Sequence, residues 1–158
     1  MPIISEIASD IISLADEWEP ILVSLSQDAI AIRRNSQNRS IRQILGHLID
    51  SASNNIHRTV YLQYQPSPLV FPNYASEGSN DRWIAIQDYQ NENWLNMIQL
   101  WKYLLLHFCH VINHIDEGRL SCEWIAGPDR RISLGDMLPA FLTHLKLHLS
   151  EIEDLMDR

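Results

Sequence analysis

The feature that most constrains this chain is one long apolar stripe. Trp94, Met97, Ile98, Trp101, Leu104, Leu105, Phe108, Val111, Ile112 and Ile115 recur at intervals of three and four. An α-helix advances about 100° per residue, so this spacing stacks them on one face over about six turns. A face of that length must be covered by others like it, and three further segments carry matching stripes. From Glu6 to Leu25 the stripe is Ile7, Ile11, Leu14, Ala15, Trp18, Leu22 and Leu25, with Ser5 placed to cap it. Pro20 lacks an amide and predicts either a kink there or a division into two helices. Ser40 and Gln43 form an S-x-x-Q capping box that opens a second helix, running to about Gln63. Ser133 and Asp136 open the last, whose stripe is Leu134, Met137, Leu138, Phe141, Leu142, Leu145, Leu149, Ile152 and Leu155. No segment alternates as a strand would, and no internal repeat is present. The expected fold is all-α, a four-helix bundle with long inter-helix connections, forming a single domain over residues 1–158.

The segments between the stripes read as follows. Asn35 to Arg39 is a polar loop, and Pro66 and Pro68 stop the second helix. Tyr64 to Asn80, rich in Pro, Ser, Asn and Gly, is a long connection that either covers a site or simply crosses the bundle. Asp81 to Gln90 is a short helix or an extension of the third. Gly118 suits a left-handed cap after the third helix, and Cys122 to Arg131 reads as irregular, with a Gly127-Pro128 turn.

Charge and cysteine content narrow the function classes. The formal net charge of −8 repels a phosphate backbone, so no nucleic-acid partner is expected. The locally basic run of Arg33, Arg34, Arg39 and Arg42 reads as a solvated loop and helix start. Two cysteines, Cys109 and Cys122, make no disulfide framework. The opening Met1-Pro2-Ile3-Ile4-Ser5-Glu6 lacks a signal-peptide pattern, and the longest apolar run, Tyr103 to Leu106, cannot span a bilayer. The expectation is a cytoplasmic protein with reduced thiols and no membrane partner.

Chemistry concentrates in histidine. His144 and His148 form an H-x-x-x-H pair, one turn apart on one face, with His148 inside the apolar arc and His144 at its edge. Imidazoles facing a core need partners; the spacing alone reads first as a pair satisfied by hydrogen bonds or half exposed, and second as a shared metal site. His47 is ambiguous. Leu45, Ile49, Ala52 and Ile56 define the apolar arc of the second helix, and His47 lies off it on a face with Ser51, Asn54 and Arg58. That face could turn into a cavity or toward water. His107, His110 and His114 read as a solvated face, and Cys109 as a buried inert thiol. Trp83, Trp94, Trp101 and Trp124 read as core or interface before cavity lining. Asp50 either orients His47 or lies exposed.

Three stretches carry a family resemblance. Gly46-His47-Leu48-Ile49-Asp50 followed by Arg58, the segment Asn80 to Trp101, and Ser133 to Ile152 with its H-x-x-x-H resemble the DinB-like (damage-inducible, YfiT-type) metalloprotein superfamily. The likeness covers nearly the whole chain in order. It implies a four-helix bundle in which His47, His144 and His148 hold one divalent metal ion, zinc or nickel foremost, with solvent or substrate completing the shell. It further implies an enzyme similar to the family's thiol S-transferases, in which a metal-held low-molecular-weight thiolate attacks a small electrophile. The alternative is a non-catalytic metal- or ligand-binding stress-response protein. A homodimer is expected from the family and from the abundance of large apolar residues. Leu147 and Leu149 depart from the family pattern, where many relatives place a histidine and a basic residue beside the second ligand on that helix, so the resemblance says little about what supports the ligands.

Overall fold

The computed structural model describes residues 3–76 and 78–156; Met1, Pro2, Glu77, Asp157 and Arg158, including the first two residues of the opening read above, lie outside the described residues. Four long helices build the bundle: α1 (Ile4–Ser24), α3 (Ile41–Leu62), α5 (Trp94–Ile112) and α6 (Leu134–Met156). Two short helices, α2 (Gln27–Ala31) and α4 (Ser79–Gln87), lie in the connections, with single 3-10 turns at Tyr89–Asn91 and Glu117–Arg119. α1 packs on α5 and α6, and α3 packs on the same two helices from the other side. The cyclic order is therefore α1, α5, α3, α6, and it makes α3 and α6 neighbours although the whole of α5 separates them in sequence.

The stripes sit where the periodicity puts them. Met97, Ile98, Trp101, Leu105 and Phe108 of α5 are essentially inaccessible to solvent, as are Ile11 and Leu22 of α1, and Leu145 and Ile152 of α6. Fully burying a side chain of this kind contributes about 1.5–3 kcal/mol. The α3 capping box is complete: the Gln43 amide donates to Ser40 Oγ at 3.2 Å, and the Ser40 amide to Gln43 Oε1 at 3.0 Å. At α6 the Asp136 amide donates to Ser133 Oγ at 3.1 Å.

Several expectations are corrected. α1 is capped at Ile3, not Ser5, and runs unbroken through Pro20. The break falls after Ser24, where Leu25 turns extended and Ser26 caps α2 by accepting from the Ala29 amide. α5 ends at Ile112 with a right-handed cap at Asn113, so Gly118 caps no helix and lies in a 3-10 turn. The segment expected to be irregular holds a two-stranded antiparallel hairpin, β1 (Glu123–Gly127) and β2 (Arg130–Ser133). Leu69 of the long connection joins it: its amide donates to Glu123 O and its carbonyl accepts from the Ile125 amide. Leu69 and Trp124 then form a second small core with Leu62, Leu134 and Met137.

The arginine run is not solvated either. Arg39 is buried and pairs with Asp81 at 2.9 Å, Arg42 is buried against Glu92 O and Gln27, and Arg33 donates to the last carbonyls of α6, at Leu155 and Met156. These side chains fasten connections to helix ends, which leaves only Arg34 of the four exposed.

Candidate metal centre

α3 is buried on both faces. Its apolar arc meets α5, while α4, the Tyr89 turn, α6 and the long connection enclose the second face. His47, Asp50, Ser51, Asn54, Asn55, Arg58 and Thr59 are all buried as a result. The position of His47 off the apolar arc therefore marks a polar interior strip rather than exposure to water.

The Gly-His-Leu-Ile-Asp stretch has a mechanical role here. A Cβ on Gly46 would come within 2.1 Å of the Tyr89 ring, so only glycine lets that ring seat against the helix. The Tyr89 hydroxyl then donates to Asp50 Oδ1 at 2.6 Å, and Gln87 Nε2 donates to the same oxygen at 2.8 Å. Asp50 is thus neither exposed nor bonded to His47. It pins the α4–α5 connection onto α3 one turn from the histidine. Burial pushes its carboxyl up, and the two hydrogen bonds oppose that rise.

Three histidines come together between α3 and α6. His47 Nε2 lies 3.1 Å from His144 Nε2, and His148 Nε2 lies 3.0 Å from the same atom. One ligand atom from each falls within 4.8 Å of the others. Around a divalent ion with metal–nitrogen bonds of about 2.0–2.1 Å, tetrahedral ligands sit about 3.3 Å apart and ligands at right angles about 2.9 Å. The observed spacings fall between these values. His148 Nδ1 is 2.7 Å from Glu151 Oε2, which fixes the proton on Nδ1 and leaves Nε2 a lone pair. His144 Nδ1 faces Ser51 Oγ at 3.5 Å, and His47 Nδ1 is buried without a partner among the described residues. With Nε2 of a neutral His148 restricted to accepting, neutral tautomers can serve both close contacts only by sharing the one proton of His144 Nε2 between two rings. A shared cation accepts all three lone pairs, so the residues fit a metal ion.

Electrostatics point the same way. Burial first, then the neighbouring imidazoles and Arg39, pushes the His47 pKa down to about 2, and burial and His148 push that of His144 down to about 4. Both rings are neutral at physiological pH, the form that coordinates metal.

His144 also forms part of the wall of a cavity of about 230 Å³, shared with Ser51, Arg58, Tyr74, Trp124 and Phe141. The long connection supplies Asn73, Tyr74 and Ala75, so it covers this site. Tyr74 is buried, its ring 6.3 Å from that of His47; burial raises its pKa, and a hydrogen bond from Ser51 opposes that. Trp124 belongs to the cavity, Trp94 and Trp101 to the core, and Trp83 is partly exposed beside a neighbouring groove. His107 and His110 on α5, and His114 in the turn after it, are exposed and away from the cluster. Cys109 is buried with its thiol directed at Ala8 O, and burial pushes its pKa up to about 11. Sequence reading missed Glu151, although its i+3 spacing from His148 is a usable signal. It also missed Tyr74, which only the folded connection brings in.

A helical bundle thus gathers three imidazoles from two helices beside a cavity, as a candidate metal centre would. The model of the DinB superfamily matches residues 13–152, and the chain belongs to that superfamily. No curated protein matches it in sequence. Among solved structures it is similar to YfiT from Bacillus subtilis, described as a probable metal-dependent hydrolase with an unusual four-helix bundle topology, at TM-score 0.84 and 15% identity, over 98% of this chain and 86% of that one. It is also similar to a mycothiol-dependent maleylpyruvate isomerase, at TM-score 0.76 and 12% identity; this chain is covered over 96% but spans only 61% of the isomerase. At these identities the likeness is one of fold. No helix among the described residues is long and apolar enough to cross a membrane.

Proposed function

We propose that His47, His144 and His148 hold one divalent metal ion, zinc or nickel, and that the site serves a thiol S-transferase-like reaction on a small electrophile. The observation that carries this reading is the convergence of three Nε2 atoms at the wall of a cavity whose described lining contains no cysteine, lysine or carboxylate. A site without its own thiol, amine or carboxylate base suits a nucleophile brought in from outside. A bound divalent ion would supply the charge that keeps a small thiol deprotonated near neutral pH. The chain's own part is to hold the three rings, with Glu151 fixing His148, and to offer the protonated Tyr74 hydroxyl as a donor from the cavity wall. The mycothiol dependence of the similar isomerase supports a thiol substrate, and its maleylpyruvate substrate an electrophilic partner.

The test combines metal content after dialysis against a mild competitor, circular dichroism, and consumption of a fluorogenic alkylating agent with cytosolic thiols. Wild type should retain about one ion per chain and consume the agent only when loaded. His47→Ala, His144→Ala and His148→Ala should each lose the ion to a similar degree and stay helical. If His47→Ala keeps wild-type metal while His144→Ala loses it, the three-histidine assignment is wrong. Full metal retention with no turnover across a broad thiol and electrophile panel would leave a non-catalytic binding protein. The reading also includes a homodimer, supported by the exposed Leu95, Leu100 and Tyr103 on α5. A light-scattering mass near 18.3 kDa at working concentration would remove that part.

A further inference from the structure

Arg58 lies eleven residues after His47, so it sits within about 20° of the same face of α3 and about 16 Å further along the axis. It is only 4% exposed and lines the same cavity as His144. Its guanidinium carbon stands 3.6 Å over the Trp124 ring, with the Phe71 ring 5.3 Å away. Among the described residues its single polar contact is Nη1 to Met137 Sδ at 3.7 Å, and Nε is buried with no partner at all. The other two buried arginines show what this chain does elsewhere. Arg39 is matched by a carboxylate and Arg42 by a carbonyl and an amide oxygen. A buried cation without a counter-charge is costly, and burial accordingly pulls the Arg58 pKa down to about 10. The cavity compounds the oddity. In a chain of net charge −8, its described lining carries Arg58 and Arg130 and no acidic residue.

We propose that Arg58 is a substrate anchor that binds a carboxylate in this cavity. Trp124 covers the flat face of the guanidinium, which leaves its edge to bond in plane. A carboxylate matches that edge with two parallel hydrogen bonds, whereas a tetrahedral phosphate does not lie in one plane with it. Joined to the proposed metal site, on which this second half rests, the anchor defines the substrate class: a small molecule with a carboxylate at one end and its metal-directed or reacting group at the other.

The first test uses the full chain stripped of metal, at pH 8, with calorimetric titration of acetate, propionate and butyrate against the matching amides and of inorganic phosphate. A carboxylate should bind at least about tenfold more tightly than its amide, since charge-assisted bonds to a buried group are worth that much. Arg58→Met should abolish the preference and melt no lower than wild type, because it replaces an uncompensated buried charge with an apolar side chain of similar length. Arg58→Lys keeps the charge without the planar fork and should bind carboxylates less tightly than wild type. Equal binding of acid and amide, tighter binding of phosphate, or a preference that survives in Arg58→Met overturns the proposal. So does a lower melting temperature of Arg58→Met together with wild-type indifference to carboxylates, which would make Arg58 a structural prop. The second test loads the chain with zinc and compares ω-mercapto acids of two to six carbons with the corresponding mercapto alcohols. The acids should bind more tightly in wild type and equally in Arg58→Met, with thiol binding itself retained. If no thiol binds the loaded chain but the stripped chain still prefers carboxylates, the transferase reading fails and the anchor stands.

Discussion

Two edges of the same bundle are built on opposite rules. Where α1 meets α5, Ile7, Ile11, Leu22, Trp101, Leu105 and Phe108 close a dry interface, and its charged link, the Lys102–Glu19 pair, lies at the margin. Where α3 meets α6, the polar side chains of His47, Ser51, Arg58 and His148 are buried and a cavity remains. The first edge supplies cohesion through apolar area. The second spends some of that cohesion on groups that are useful only because they are held away from water. Two such edges can coexist in one small bundle because α5 and α6 each contact both α1 and α3, so the dry edge holds the wet one in register.

The contrast can be broken most directly from the dry side. Trp101→Ala removes a completely buried side chain and should cost about 3–5 kcal/mol in urea unfolding. A loss under about 1 kcal/mol would mean that this edge does not carry the fold. Next comes an overpacking test on the wet side, where Gly46→Ala drives a methyl group into the Tyr89 ring and should cost about 1–3 kcal/mol. Adding Tyr89→Ala should then remove most of the further penalty, and an additive double mutant would show that the ring is not the obstacle.

Glu151→Gln tests the support of the site rather than the fold. It removes the charge beside His148 Nδ1 and should weaken zinc affinity by about tenfold to a hundredfold, with melting of the metal-free chain little changed. The smallest effect is that of mild acid on metal-free protein. His47 and His144 have folded pKa values of about 2 and about 4, below the unfolded value near 6.5, so the unfolded chain binds more protons as pH falls through that value. Stability is therefore fully present above about pH 7 and declines on acidification, by about 1 kcal/mol between pH 7 and 6. The metal-free double variant His47→Ala, His144→Ala should show a flatter profile over that interval. An equal slope would place the titrating groups elsewhere.

How much of this could be read from the sequence depended on range. The stripes of α1, α5 and α6 and the Ser40–Gln43 box are local patterns, and all were legible. His144 and His148 were legible as a pair because one turn of one helix relates them. His47 was not, since its burial depends on α4, the Tyr89 turn and residues 73–75 closing over the second face of α3. Only the family resemblance joined it to the other two. The same dependence on distant coverage hid Arg58 and misdirected the reading of Asp50. The hairpin was missed because its strands are only five and four residues long and flank a Gly-Pro turn with little alternation. The arginines were misjudged because composition reveals charge but not its partner.

The enclosure of α3 on both faces also bears on how the chain tolerates change. Most amphipathic helices keep a half-turn of positions where almost any residue is acceptable, and α5 has such a half at Leu95, Tyr103, His107 and His110. Along the 22 residues of α3 only His57, Val60 and Tyr61 are exposed, all near its end. A saturation scan scored by folded yield should therefore find α5 permissive at roughly every second position, whereas α3 from Ile41 to Ile56 should read as an almost unbroken block of intolerance, polar positions included.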